Sequence, residues 1–311
     1  MADPITYRVV HETRYTYSDT VTSARQLAHL RPRATPWQTV HAHHVKIDPA
    51  ANEQSEGSDY FGNGVLRFTI DTPHDELTVH AESIVEVHSH APEIDAGPAW
   101  ESAVAATGEW GPDDKFDIAQ FRLASPMVPL LPEAAEYARE SFPAGRALPA
   151  AMLDLTRRIH VDFVYDPKAT TVTTEVREVL AHRRGVCQDF AHLMIACLRS
   201  LGLAARYVSG YILNRVPPGA RRLAGADASH AWVEGHCPGR GWIAFDPTNG
   251  KVADLEFITL GWGREFSDVT PLRGVVLGSA TQKLAVAVSV QPVPTVTPRH
   301  IGSGSADFPD R

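Results

Sequence analysis

The chain has 311 residues but only three cysteines, at 187, 197 and 237. So few, in an odd number, offer no disulfide framework; stability must come from a packed core, and the thiols are expected to be reduced. No apolar run reaches the roughly 18 residues that would mark a membrane-spanning helix. The opening segment MADPITYRVV lacks the basic and apolar stretches of a secretory leader. Together with the unpaired thiols this sets a cytoplasmic expectation. Positive charge is also short: 29 Lys and Arg against 37 Asp and Glu leave a net charge of −8. That balance argues against nucleic acid as a partner and gives no support to attraction by an anionic membrane. A composition 43% hydrophobic and 21% charged is enough for a real core, and the length suits about two domains.

Histidine, by contrast, is plentiful at fifteen residues. His41 and His43 are predicted to share one strand face, as are His88 and His90. Such pairs hold zinc when a third ligand arrives from elsewhere. None stands at a recognisable spacing, so these are read as solvent-facing strand residues, with no metal and no cofactor expected.

The patterning predicts an α+β chain. Residues 1–95 carry short alternating segments, among them 5–19, 40–47, 65–70 and 76–90, punctuated by turn signals such as Gly62-Asn63-Gly64. These predict a β-sandwich-like N-terminal domain. Residues 96–125 read as a linker with room for a short helix. Residues 126–295 read as the main α+β unit, with helices over 132–142 and 148–160 and closing strands at 274–278 and 282–293. The Pro-Pro-Gly-Ala-Arg-Arg stretch at 217–222 is predicted to be an exposed loop, and 296–311 a flexible tail.

Within that unit, Cys187 precedes a helical stripe: Phe190, Leu193, Met194, Cys197, Leu198 and Leu201 recur at helical spacing, and Gly202 can end the helix. Cys187 then falls in the first turn, where unpaired N–H groups and the dipole favour an anion such as a thiolate. Further on, SHAWVEGH (229–236) and GWIAFDPT (241–248) read as two strands of a hairpin around CPG (237–239). A turn centred on Pro238 sets Glu234 opposite Trp242, Trp232 opposite Ala244 and His230 opposite Asp246. Opposed Cβ atoms lie about 4.5–5.5 Å apart, close enough for a histidine–carboxylate bond. Cys187, His230 and Asp246 thus have the types and order of nucleophile, base and orienting group. Cys197 lies on the stripe and reads as packing; Cys237 falls in the predicted turn.

At these residues the chain resembles the transglutaminase-like superfamily of papain-type thiol enzymes. The motifs are GVCQDFAHL (185–193), RYVSGY (206–211), DASHAW (227–232) and GWIAFDPTNG (241–250). TYRVVHETRYTYSD (6–19), LRPR (30–33), SDYFGN (58–63) and GREFSDVTPLRGVVLG (263–278) extend the resemblance to the bacterial members' flanking regions. It implies a transglutaminase-like core in which a Cys-bearing helix packs on an antiparallel sheet holding His and Asp. It assigns Cys187 as nucleophile, His230 as general base and acid, and Asp246 as the residue that orients it. The implied reaction is acyl transfer at an amide or peptide bond. Hydrolysis is expected over protein cross-linking, with transglutaminase activity, or a non-catalytic binding protein that keeps the fold, as the alternatives. Papain-like enzymes draw a second oxyanion donor from a side chain upstream of the Cys, which points to Tyr165; Gln188, by adjacency, and Trp232 are further oxyanion or substrate candidates.

Overall fold

A computed structural model describes residues 2–105, 115–213, 229–279 and 281–293; the predicted loop at 217–222 and the tail fall outside them. Six strands come first: β1 (Ile5–Val21), β2 (Ser23–Ala28), β3 (Gln38–Asp48), β4 (Glu53–Ser58), β5 (Gly64–Ile70) and β6 (His74–Val87). A mixed region follows: α1 (Trp100–Ala105), α2 (Lys115–Ala119), α3 (Pro132–Arg139), α4 (Leu148–Asp162), β7 (Val164–Tyr165), α5 (Val176–His182), β8 (Arg184–Gly185) and α6 (Cys187–Ser200). The chain then runs through β9 (Ala205–Ile212), β10 (Ser229–Cys237), β11 (Gly241–Asp246), β12 (Lys251–Val252), β13 (Phe257–Gly263), β14 (Leu272–Leu277) and β15 (Gln282–Pro292).

The N-terminal strands form two four-stranded sheets, ordered β15-β1-β6-β3 and β14-β2-β5-β4. Strand β6 shows why: every second residue is buried through most of its length, the period of a strand with one face in a core. Tyr17, Val21, Leu77 and Val79 from the first sheet and Ala24, Phe68 and Ile70 from the second meet in one apolar cluster. The closing strands, which could have returned to either domain, pair in these two sheets. β15 pairs with β1 from Tyr7↔Pro292 to Tyr17↔Gln282, and β14 pairs with β2. Each covers an edge that would otherwise present unpaired backbone groups.

Residues 96–125 are more than a linker. Ala103 of α1 joins the helical core, and Ile118 and Phe121 pack with Ala204. The histidine pairs also differ from expectation. A bulge between Val40 and Ala42 takes His41 out of phase with His43. His43 turns inward to Ser83 at 2.9 Å, and burial pushes it down to about 4. His41 and His88 each reach Glu86, and His90 stacks on Trp37 with ring centres 4.7 Å apart.

The site is carried by a five-stranded antiparallel sheet, β12-β11-β10-β9-β13. Helix α6 packs on β9 and β10, with α3, α4 and α5 on its other sides. The predicted one-sided stripe is therefore too narrow: every residue from Asp189 to Arg199 is buried. Arg199, at the C-terminal end where a cation is favoured, donates to the carbonyls of Phe121, Leu123, Ala205 and Arg264 and to Ser125 Oγ. It fastens the helix to three neighbouring segments.

Two side-chain amides join the N-terminal strands to the edge strand β13. Gln38 accepts from the Thr259 N–H and donates to the Thr259 carbonyl, both at 2.8 Å. Asn63 does the same for Trp262, at 3.0 and 2.8 Å. Each amide thus stands in for a neighbouring strand.

Candidate active site

Cys187 is the first residue of α6 and is partly exposed. The start of that helix is built by Asp189, whose Oδ2 accepts the Val186 N–H at 2.8 Å and the Thr170 hydroxyl at 2.7 Å. This is the reciprocal half of a capping box, with the acid at N3 reaching back. Burial pushes the Asp189 carboxyl up, against the pull of those bonds. Gly185 makes the arrangement fit: a Cβ there would lie 2.8 Å from the Asp189 side chain. The sequence G-V-C-Q-D therefore encodes a clearance, a cap position, the thiol and the capping acid.

The remaining two residues come from the sheet. His230 pairs with Gly210 of β9, and no larger residue suits that position, because a Cβ would collide with the Ile258 carbonyl and the Trp232 ring. Strands β10 and β11 pair Val233 with Phe245 and Glu234 with Ala244. The predicted register is off by two residues, which leaves the faces unchanged. The turn moves accordingly, and Cys237 is a buried strand residue rather than part of it. His230 and Asp246 therefore meet diagonally, with Nε2 2.8 Å from Oδ2. Cys187 lies near the same imidazole, close enough to help raise its pKa.

Asp246 is fully buried and held by its own turn. Thr248 N–H donates to Oδ1 at 2.9 Å and Asn249 Nδ2 to Oδ2 at 2.5 Å. Burial alone would raise this carboxyl, but His230, Asn249 and Thr248 together hold it below the usual carboxylate range. Burial would likewise lower His230; the bonds and charges of Asp246 and Cys187 outweigh that and raise it to about 10. The pair thus favours an imidazolium beside a carboxylate, with the Cys187 sulfur near the ring. His160 steadies the turn from behind, donating Nδ1–H to the Thr248 carbonyl at 2.7 Å.

The secondary candidates separate. Tyr165 is 53% exposed and pairs with Gly185, two residues before the thiol. Burial, and then the charge of Cys187, push its phenol up. The Gln188 side chain is committed elsewhere, donating to the Val172 carbonyl at 3.1 Å. Trp232 is 1% exposed and forms a wall, its ring centre 6.2 Å from that of His230, with Phe257 beside both. Asn249, Asp189 and Thr170 went unread in the sequence; the first two lie inside the quoted motifs, within three positions of Asp246 and Cys187 respectively, which was the available signal. Among the described residues no three His, Cys, Asp or Glu side chains gather as a metal site.

Comparison with known proteins bears on the same regions. The model of the bacterial transglutaminase-like N-terminal region matches residues 7–86, and that of the transglutaminase-like superfamily residues 140–247. An uncharacterized protein of Mycobacterium tuberculosis is 42% identical over 298 residues, covering 93% of this chain and 92% of its own. A protein-glutamine gamma-glutamyltransferase of Pseudomonas aeruginosa is 35% identical over 117 residues, covering 37% of this chain and 17% of its own. A solved structure from Cytophaga hutchinsonii, itself only proposed to be a cysteine protease, matches with a TM-score of 0.73 at 19% identity, over 94% of this chain and 92% of its own.

Proposed function

Because the chain belongs to the transglutaminase-like superfamily, we propose that it is a cysteine-dependent acyl-transfer enzyme acting on amide or peptide bonds, with water as the acceptor. The observation that carries this reading is one imidazole hydrogen-bonded to Asp246 and neighboured by the partly exposed Cys187 at the start of α6. With the thiol proton held on His230, the sulfur attacks the carbonyl carbon. The developing oxyanion meets the Cys187 N–H in the first turn of α6, and Tyr165 is the proposed second donor. The C–N bond breaks as His230 returns the proton to the leaving amine, and a thioester remains. Water, losing a proton to His230, attacks the thioester; the acid departs and the thiol is restored. Asp246 fixes the tautomer and stabilises the imidazolium.

Hydrolysis is the simpler outcome, since water reaches the partly exposed Cys187 without a second binding site. The gamma-glutamyltransferase relative supports a second reading, in which an amine replaces water. The three unbridged cysteines support a reducing, cytoplasmic setting. The test is a panel of peptides and amides, with and without added amine, against wild type and Cys187→Ala. The variant is expected to lose about 10³-fold or more in kcat. Full activity in Cys187→Ala would sink the reading, and amine incorporation in place of acid release would move it to transfer.

A further inference from the structure

A second concave site lies where the N-terminal strands meet the core sheet. It is a cavity of about 520 Å³. Four planar groups are stacked along it in the order Trp242, Arg206, Trp262, Arg33. The Arg206 guanidinium carbon lies 4.2 Å from the Trp242 ring centre and 3.6 Å from that of Trp262. The Arg33 guanidinium covers the Trp262 ring at 3.6 Å. Phe121 stands edge-on to Trp242 and continues the apolar wall. Arg33 ends the LRPR segment and Arg206 opens RYVSGY, and no step of acyl transfer uses either.

The polar accounting is incomplete. Each guanidinium carries five N–H donors. Arg206, 6% exposed, gives Nε and Nη2 to one oxygen of Glu234. Arg33 gives Nη1 to the Phe61 carbonyl and Asn63 Oδ1. Neither has a further acceptor among the described residues, although both line the cavity. Burial, and then Arg206, push Arg33 down to about 10, so an anion would be welcome between them. The nearby carboxylates limit how much charge fits. Glu234 is taken by Arg206, Asp59 is taken by Asn63 and the Phe61 N–H, and Asp117 stands exposed at the rim. A monoanion suits this balance better than a phosphate near two negative charges.

We propose that this cavity binds a carboxylate carried on an aromatic or apolar body, the oxyanion bridging the free N–H edges of Arg206 and Arg33 and the body lying against Trp242 and Phe121. Guanidinium forks favour such planar two-oxygen acceptors. Glu234 lies four residues along β10 from His230, so the site sits ~13 Å from the imidazole. It is a separate site, and its test does not depend on the acyl-transfer reading.

The experiment is calorimetric and tryptophan-fluorescence titration of the full chain with 3-phenylpropionate, its neutral amide and phenethyl phosphate. Two variants accompany it. Arg33→Gln removes one cation. Gln120→Trp fills the cavity from a wall residue whose only side-chain bond among the described residues is to the Asp117 carbonyl at 3.3 Å. The acid is expected to bind saturably, about tenfold tighter than the amide or the phosphate. Binding should weaken about tenfold in Arg33→Gln and vanish in Gln120→Trp at unchanged melting temperature. Absence of saturable binding, equal binding of acid and amide, tighter binding of the phosphate, or full binding by Gln120→Trp would each overturn the assignment.

Discussion

His230 is the residue on which the proposed chemistry turns, and its neighbours give it a pH signature. Its folded-state value is raised from 6.5 to about 10. The stabilisation this represents is complete below 6.5 and is lost as pH rises through about 10. Asp246 has the opposite sign. Its carboxyl is held below 3.8, so its contribution is present above that pH and is lost as pH falls through the folded value. Melting temperature should therefore drop across the alkaline window in wild type and do so less steeply in Asp246→Asn; parallel profiles would show that the pair is not coupled. The same variant should lose about 10²–10⁴-fold in kcat, because an amide no longer holds the imidazole in the useful tautomer. The pairing of His230 with Asp246 and the place of Cys187 at a helix start were legible from type, order and strand parity. Asn249 and Thr170 were not, because a polar turn residue reveals its target only when the turn is folded.

At the scale of elements, parity and register part company. Alternation placed His230 and Asp246 on one face, and that survived a two-residue error in the hairpin, since only an odd slip reverses a strand. Turn composition did not locate the turn: Gly239 and Gly241, one and three residues after the Pro238 centre, both take positive φ, 75° and 77°. Helix α6 was legible as a helix, but its full burial was not, because its outer covering comes from α3–α5 rather than from its own pattern. Its start makes a local prediction. Asp189→Ala should cost about 1–2 kcal/mol in urea unfolding by freeing the Val186 N–H and the Thr170 hydroxyl. Asp189→Asn should cost less, because an amide oxygen still accepts. Gly185→Ala should lower kcat more than stability, since the displaced Asp189 carries the helix start and with it the thiol. An unchanged kcat in Gly185→Ala would show that the helix start does not set the thiol's position.

For the whole molecule, the chain returns to where it began. The closing strands pair with β1 and β2, which no local pattern announced: strand character is local, but choice of partner depends on edges formed some 240–290 residues earlier. A chain ending at Thr270 should leave both edges open and be recovered as aggregate, measured as soluble yield against full length. The contacts of Gln38 and Asn63 with β13 tie these strands to the sheet that carries His230. Asn63→Ala leaves the Trp262 backbone without its partners and should cost about 1–3 kcal/mol. Gly261 lies under Asn63, and a Cβ there would come within 2.6 Å of its Oδ1, so Gly261→Ala is expected to mimic that loss.

The most direct test of the account is alkylation by iodoacetamide, followed by peptide mass spectrometry, in wild type and His230→Ala. Cys197 and Cys237 are buried, so the single adduct is expected on Cys187. Its rate near neutral pH should fall about tenfold or more once His230 is removed. An equal rate in the two proteins, or modification spread over all three cysteines, would contradict a thiol held and activated by His230.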